Sequence, residues 1–203
     1  DTLKGQENVP KLVEKGKGQF VGPELRGKTL GVIGLGAIGR LVANAASAGF
    51  GMKVVGCDPF ISVESAWALS SSVCRAATNE DVFAQADYIT FHVPLNDKTR
   101  GSINAATIAK MKKGAILLNV GRGSSVDSDA LAEAVHSRHI FGAGLDVTAP
   151  EPLPADHPLW AEPNVIITPH VSGKFSLPKT LENIAEIFVH NLQLYAAGKP
   201  LDN

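Results

Sequence analysis

The chain has 203 residues, 44% hydrophobic and 19% charged, which suits one globular domain with appendages. A net charge of −1 with no basic block excludes binding to nucleic acid or an anionic membrane through bulk charge. Cys57 and Cys74 belong to no CxxC or Cys/His cluster, so neither a metal site nor a disulfide framework is expected.

Asp1–Gly27 has no starting methionine. It opens with a short polar piece that reads as helical around Val9–Lys15, followed by a glycine-rich connector, Gly16–Gly27. Such a start is expected of a fragment. Lys28–Ile33 then reads as a buried strand, and Gly34-Leu-Gly36-Ala-Ile-Gly39 as a turn. The small-residue segment up to Gly49 reads as a helix, and Lys53–Cys57 as a second buried strand with Asp58 at its end. That order is the dinucleotide-binding βαβ unit. Gly34 allows the tight turn, Gly36 lets a pyrophosphate approach the backbone, and Gly39 lets the helix lie close to the sheet. The helix starting near Gly36 presents free N–H groups and the positive end of its dipole to the phosphates. Asp58 can accept hydrogen bonds from the adenosine ribose hydroxyls of NAD. It would repel the 2′-phosphate of NADP by about 4 kcal/mol at about 4 Å and an effective dielectric near 20. No arginine follows Asp58, so NAD is the expected cofactor, and a reductase using NADP is disfavoured. Cys57, closing an apolar strand, reads as a small core residue.

Downstream, Ile61–Leu69 reads as a helix with Ser62 as N-cap and Glu64 in its first turn. Ser70–Ala76 reads as a short strand. Asn79–Ala86 reads as a helix capped by Asn79, and Asp87–Phe91 as a strand. Asn104–Met111 is a short helix with a basic, glycine-stopped end. Ala115–Asn119 is an apolar strand of the kind buried in parallel sheets. A turn at Gly121–Gly123, a helix over Asp127–Ser137 and a strand over Ile140–Val147 follow. Thr148–Pro163 is a proline-rich loop, Val165–Thr168 a last strand, and Ser176–Ala197 a long amphipathic helix. Strands alternating with helices predict an α/β fold: a Rossmann-type doubly wound parallel sheet with helices on both faces. No apolar run of about 18 residues marks a membrane span and no signal peptide is present, so a cytoplasmic location is the default.

Ligands of such sheets bind at the carboxyl ends of the strands. Asp58, His92, Arg122, Asp146 and His170 all fall there, with Glu151 in the loop just after Asp146. The segments Gly31–Gly39, Phe91–Leu95, Asn119–Gly123, Gly144–Val147, Glu151-Pro152 and Thr168–His170 stand in the order and spacing of the D-isomer-specific 2-hydroxyacid dehydrogenases. The chain resembles that family over residues 20–203. Its lead-in, Asn8–Phe20, and the Ser62–Leu69 helix are most similar to bacterial D-3-phosphoglycerate dehydrogenases.

The resemblance implies roles. Arg122 would bind the substrate carboxylate and polarise the C2 oxygen. His170 would be the general acid/base, and Glu151 would orient its imidazole. Asp146 would hold the nicotinamide carboxamide. Ala37 and Ile38 would offer backbone to the pyrophosphate. Val93 and Pro94 would line the cofactor cleft, with His92 packing beside the cofactor or in the core. Val120 and Gly121 would approach the nicotinamide, and His170, Val171, Ser172 and Gly173 would close that side. His136, His139, His157 and His190 match no role and read as surface or loop residues. The chain departs from the family pattern at Thr148–Pro150, where many members carry an aromatic and an acid, and at Gly121, often alanine.

The resemblance also implies a single NAD-binding domain with its core at residues 28–173. Residues 1–27 and 176–203 would join a substrate domain that this chain lacks, so the isolated chain is expected to turn over weakly or not at all. A 2-hydroxy acid substrate and a homodimeric full-length protein are expected, with 3-phosphoglycerate the expected substrate. The alternative is an NAD-sensing interaction module similar to the C-terminal binding protein corepressors, which retain the Arg/Glu/His set.

Overall fold

The structure, a computed structural model, describes residues 9–17, 22, 24–62, 66–173 and 178–202. Seven strands form one parallel sheet: β1 (Thr29–Ile33), β2 (Lys53–Cys57), β3 (Val73–Arg75), β4 (Tyr88–Phe91), β5 (Ala115–Asn119), β6 (Ile140–Leu145) and β7 (Val165–Ile167). Their order is β3-β2-β1-β4-β5-β6-β7. The winding reverses between β1 and β4, and the crevice at that switch point is where ligands of such sheets sit.

The helices are α1 (Val9–Gly16), α2 (Ala37–Ala48), α3 (Asn79–Phe83), α4 (Ala105–Ile108), α5 (Ser128–His136) and α6 (Pro178–Ala196). Alternate strand residues divide the core between the two faces of the sheet. Leu30, Val32, Val54 and Val73 pack with Ala43 and Ala46 of α2. Ile33, Val55, Phe91 and Leu117 pack on the other face with residues of α3, α4 and α5. Val32 and Leu117 are fully buried. Each such side chain contributes about 1.5–3 kcal/mol by leaving water. The expected doubly wound α/β sheet is thus the observed fold.

The differences from the expected elements are local. The cap of α3 is Thr78 rather than Asn79. Its hydroxyl accepts from the Asp81 N–H while the Asp81 carboxylate accepts from the Thr78 N–H, closing a capping box. The strand expected to reach Val147 stops at Leu145, because Asp146 turns its carbonyl to the chain beyond β7. Short 3₁₀ turns occupy Gly123–Ser125 and Pro158–Ala161, where a turn and an open loop were expected. Within Ile61–Leu69, only residues 66–67 are helical among those described, and Glu64 lies outside them. The expected start of the last helix at Ser176 also lies outside the described residues. The helix is amphipathic as expected, with Ile184, Ile187, Phe188 and Leu192 exposed. Among the described residues, no helix is long and apolar enough to cross a membrane.

Candidate active site

The site is built from the ends of β1, β2, β4, β5, β6 and β7. At the end of β1, Gly34 has φ +91°, and a Cβ there would lie 2.9 Å from the His92 carbonyl oxygen. Only glycine fits that turn without strain. A Cβ on Gly39 would lie 1.9 Å from the Gly34 carbonyl oxygen, so α2 starts tight against its own turn. Gly36 is different. It is the N-cap of α2 at φ −66°, no side chain caps the helix, and a Cβ there would meet nothing within 4 Å. The fold does not require that glycine. Among the described residues no side chain caps the start of α2, and a Cβ on Gly36 would point into open space. These residues fit a dinucleotide pyrophosphate.

Asp58, just past β2, braces the same turn. Its carboxylate accepts from the Leu35 N–H at 2.8 Å and the Phe60 N–H at 2.9 Å. An ionised carboxylate offers about four acceptor positions, so both oxygens keep capacity for ribose hydroxyls. Cys57 is buried as expected. Burial and the neighbouring Asp58, Asp81 and Glu80 push its thiol up, away from the nucleophilic form.

At the end of β4, Val93 lies against the glycine turn, its Cγ1 3.0 Å from where a Gly34 Cβ would be. His92 shares a hydrogen bond between Nε2 and Thr90 Oγ1 at 3.0 Å. Burial pushes its imidazole below its ordinary value. It lines a cavity of 360 Å³ with Val120, Asp146, Thr168 and Ser172.

Past β5, Asn119 is fully buried. Its side chain accepts from the Gly121 N–H at 3.1 Å and donates to the Arg122 carbonyl at 3.0 Å. It therefore shapes the loop that carries Arg122. The Arg122 guanidinium is exposed and donates to the Gly121 carbonyl at 2.8 Å. Gly123 then packs on the chain after β6, since a Cβ there would lie 1.8 Å from the Thr148 carbonyl oxygen. This close approach joins the Arg122 loop to the loop carrying Glu151.

Glu151 Oε1 lies 2.7 Å from His170 Nδ1, and both side chains are about 40% exposed. A carboxylate only accepts, so Nδ1 carries the shared proton and Nε2 is the nitrogen free to exchange one. His170 adopts φ +53°, a left-handed conformation uncommon for a residue with a side chain. Its N–H donates to the carbonyls of Asp146 at 2.9 Å and Thr168 at 3.0 Å. A cavity of 310 Å³ opens beside the pair, walled by Leu153, Trp160 and Ile167.

Asp146 is 5% exposed. Its Oδ1 accepts from the Thr168 hydroxyl at 2.5 Å and the Val171 N–H at 3.0 Å. Its Oδ2 accepts from the Ser172 N–H at 2.9 Å and the Ser172 hydroxyl at 2.6 Å. Burial pushes its pKa up. The hydrogen bonds from the Ser172 and Thr168 hydroxyls and from the two backbone N–H groups outweigh that and hold the carboxyl well below the usual range.

The sequence did not single out Asn119 and Thr168 as site residues, although both stand inside the motifs quoted above. His157 is not an ordinary surface residue. Its ring is 9% exposed, its Nδ1 accepts from the Leu159 N–H at 3.2 Å, and its Nε2 lies 3.3 Å from Asp129. It caps the 3₁₀ turn behind Glu151. A polar residue just before a proline at the start of a turn was the available signal.

A glycine turn at a switch point, with a Glu–His pair and an arginine loop at the same edge of a parallel sheet, is the arrangement of a dinucleotide-binding α/β domain. The family profile "D-isomer specific 2-hydroxyacid dehydrogenase, NAD binding domain" matches residues 2–172, and the chain belongs to that family as an NAD-binding domain. It is 43% identical over 182 residues to D-3-phosphoglycerate dehydrogenase of Bacillus subtilis (strain 168), covering 90% of this chain and 33% of that protein. It is 37% identical over 179 residues to hydroxypyruvate reductase of Blautia hydrogenotrophica, covering 88% of this chain and 53% of that one. The apo structure of Rhodotorula graminis D-mandelate dehydrogenase superposes with TM-score 0.83 at 31% identity, over 97% of this chain and 56% of that chain. The chain spans about a third of the length of the phosphoglycerate dehydrogenase it matches.

Proposed function

We propose that the complete protein is an NAD-dependent D-2-hydroxyacid dehydrogenase that interconverts 3-phosphoglycerate and 3-phosphohydroxypyruvate. The observation that carries the chemistry is the Glu151–His170 contact of 2.7 Å at the carboxyl edge of the sheet. The likeness to phosphoglycerate dehydrogenases, 43% identity in the Bacillus case, supports the substrate.

The roles are those that the family likeness implies, and the geometry is compatible with them. Gly36, Ala37 and Ile38 would hold the pyrophosphate of NAD, and Asp58 would hold its adenosine ribose. Val93 and Pro94 would line the cofactor cleft, and Val120 and Gly121 would approach its nicotinamide end. Arg122 takes the substrate carboxylate, for which a guanidinium fork has matching geometry. Bound NADH supplies the hydride that reaches C2 of the 2-oxo acid. His170 gives the proton from Nε2 to the C2 oxygen and takes it back in the reverse direction. Glu151 holds the imidazole through Nδ1.

The test is initial-rate turnover of the complete protein on a panel of 2-oxo acids, with NADH and NADPH compared. The reading expects the highest kcat/KM with 3-phosphohydroxypyruvate and NADH. Preference for unphosphorylated hydroxypyruvate or for a mandelate-type acid would overturn the substrate. Equal use of NADPH would overturn the role of Asp58.

A further inference from the structure

We propose that Ser128 and Thr148 are positioning residues: their two hydroxyls brace the proline-interrupted segment that carries Glu151, and so aim its carboxylate at His170. The inference rests on the reading of Glu151 and His170 as the working pair.

The first ground is what the backbone itself cannot do. Pro150, Pro152 and Pro154 have no N–H to donate. Among the described residues, residues 148–153 make no backbone–backbone hydrogen bond. Two side chains hold them instead. Ser128 Oγ donates to the Ala149 carbonyl at 3.0 Å, and Thr148 Oγ1 donates to the Pro150 carbonyl at 2.9 Å. The Pro150 carbonyl belongs to the peptide that enters Glu151, so its direction sets where the Glu151 side chain leaves the chain. Thr148-Ala149-Pro150 carries no aromatic ring that could pack the segment in their place.

The second ground is anchoring. Ser128 opens α5, which is capped by Asp127. Thr148 is 8% exposed, and its carbonyl packs on Gly123 of the Arg122 loop. Both hydroxyls therefore start from fixed backbone. The third ground is the surroundings of Glu151. Its side chain is 42% exposed and borders the 310 Å³ cavity. Sparse packing leaves its direction to the backbone. That direction matters, because Oε1 meets His170 Nδ1 at 2.7 Å and keeps the proton on that nitrogen.

Each hydroxyl can be removed with little change of shape. Thr148→Val takes one away, and Thr148→Ser keeps it. Ser128→Ala takes the other away, while Asp127 still caps α5 and alanine suits a helix.

The experiment uses the full chain without cofactor or substrate, so it reads the geometry of the pair and not turnover. An inactive complete protein would overturn the proposed function and leave this test readable. Imidazole nitrogen NMR under alkaline conditions, where histidine is neutral, gives the ratio of the Nδ1–H to the Nε2–H form of His170. Thr148→Val and Ser128→Ala are each expected to lower that ratio by about 2- to 10-fold, the scale of one neutral hydrogen bond. Thr148→Ser should keep the wild-type ratio. The His139 ring, bonded to the Ile108 carbonyl, should keep its own ratio in every variant. If Thr148→Val does not fold, Ser128→Ala carries the test, with Ser128→Thr as the variant that keeps the hydroxyl. An unchanged His170 ratio in the folded hydroxyl-free variants overturns the brace. So does a change that Thr148→Ser shares or that His139 shows equally, since either marks a general disturbance of the fold.

Discussion

Gly36→Ala separates the binding role of the glycine turn from its folding role. The added methyl has nothing within 4 Å, and the backbone at φ −66° suits alanine. Stability should fall by no more than about 1 kcal/mol, the scale of replacing a favourable N-cap residue by alanine. The same methyl stands in the open space before the first N–H groups of α2. If it holds the pyrophosphate off one or two of them, each lost charge-assisted bond costs about 1.5–3 kcal/mol. Every 1.4 kcal/mol or so is tenfold in affinity, so Kd for NADH should rise by about 10- to 100-fold per bond. Titration of NADH by fluorescence, beside thermal unfolding of the same sample, reads both quantities. Gly39→Ala is the contrast. Its Cβ would lie 1.9 Å from a backbone oxygen, so it should lower Tm before binding is even measured. A Gly36→Ala chain with unchanged Tm and unchanged Kd would refute the placement of the pyrophosphate.

Three further outcomes are expected. The Ser125 hydroxyl is buried without a hydrogen-bond partner among the described residues, so Ser125→Ala should leave Tm unchanged or raise it, by up to about 1–3 kcal/mol of stability; a marked loss would show that the hydroxyl is satisfied. His92 has its folded pKa pushed down by burial, so its contribution to stability is present above the unfolded value of about 6.5 and is lost as pH falls toward the folded one. His92→Gln should flatten the decline of Tm on acidification below that value, and a slope equal to wild type would reject the assignment. Gly123→Ala must push the Arg122 loop away from Thr148, since its Cβ would lie 1.8 Å from that carbonyl oxygen. A displacement of about 1 Å at reacting groups costs on the order of 100-fold in rate, so kcat of the complete protein should fall by that scale while NADH affinity holds; unchanged kcat would separate the two loops.

The legible parts of the sequence were those where backbone needs select the residue. Gly34 and Gly39 announced the turn because no other residue fits, and apolar runs such as Ala115–Asn119 announced buried strands. Glu151 and His170 were legible through likeness, and their contact followed from two strand ends lying side by side. What stayed hidden depended on distant partners. The four acceptor positions of Asp146 are filled by residues 22 to 26 places away, which no local pattern reports. Asn119 read as the end of an apolar strand, yet its buried amide shapes the Arg122 loop. His157 read as a loop residue because its burial is created by α5 and the 3₁₀ turn that it caps. The Asn79 cap was misplaced by one residue because Thr78 and Asp81 together form the stronger box.

The central claim is that His170 exchanges the proton at C2 under the control of Glu151. The most direct measurement is single-turnover oxidation of NADH by the complete protein with 3-phosphohydroxypyruvate, comparing wild type with His170→Ala. The account predicts a loss of about 10²- to 10⁴-fold in the transfer rate, with the Kd for NADH nearly unchanged. Equal transfer rates in the two proteins would contradict it.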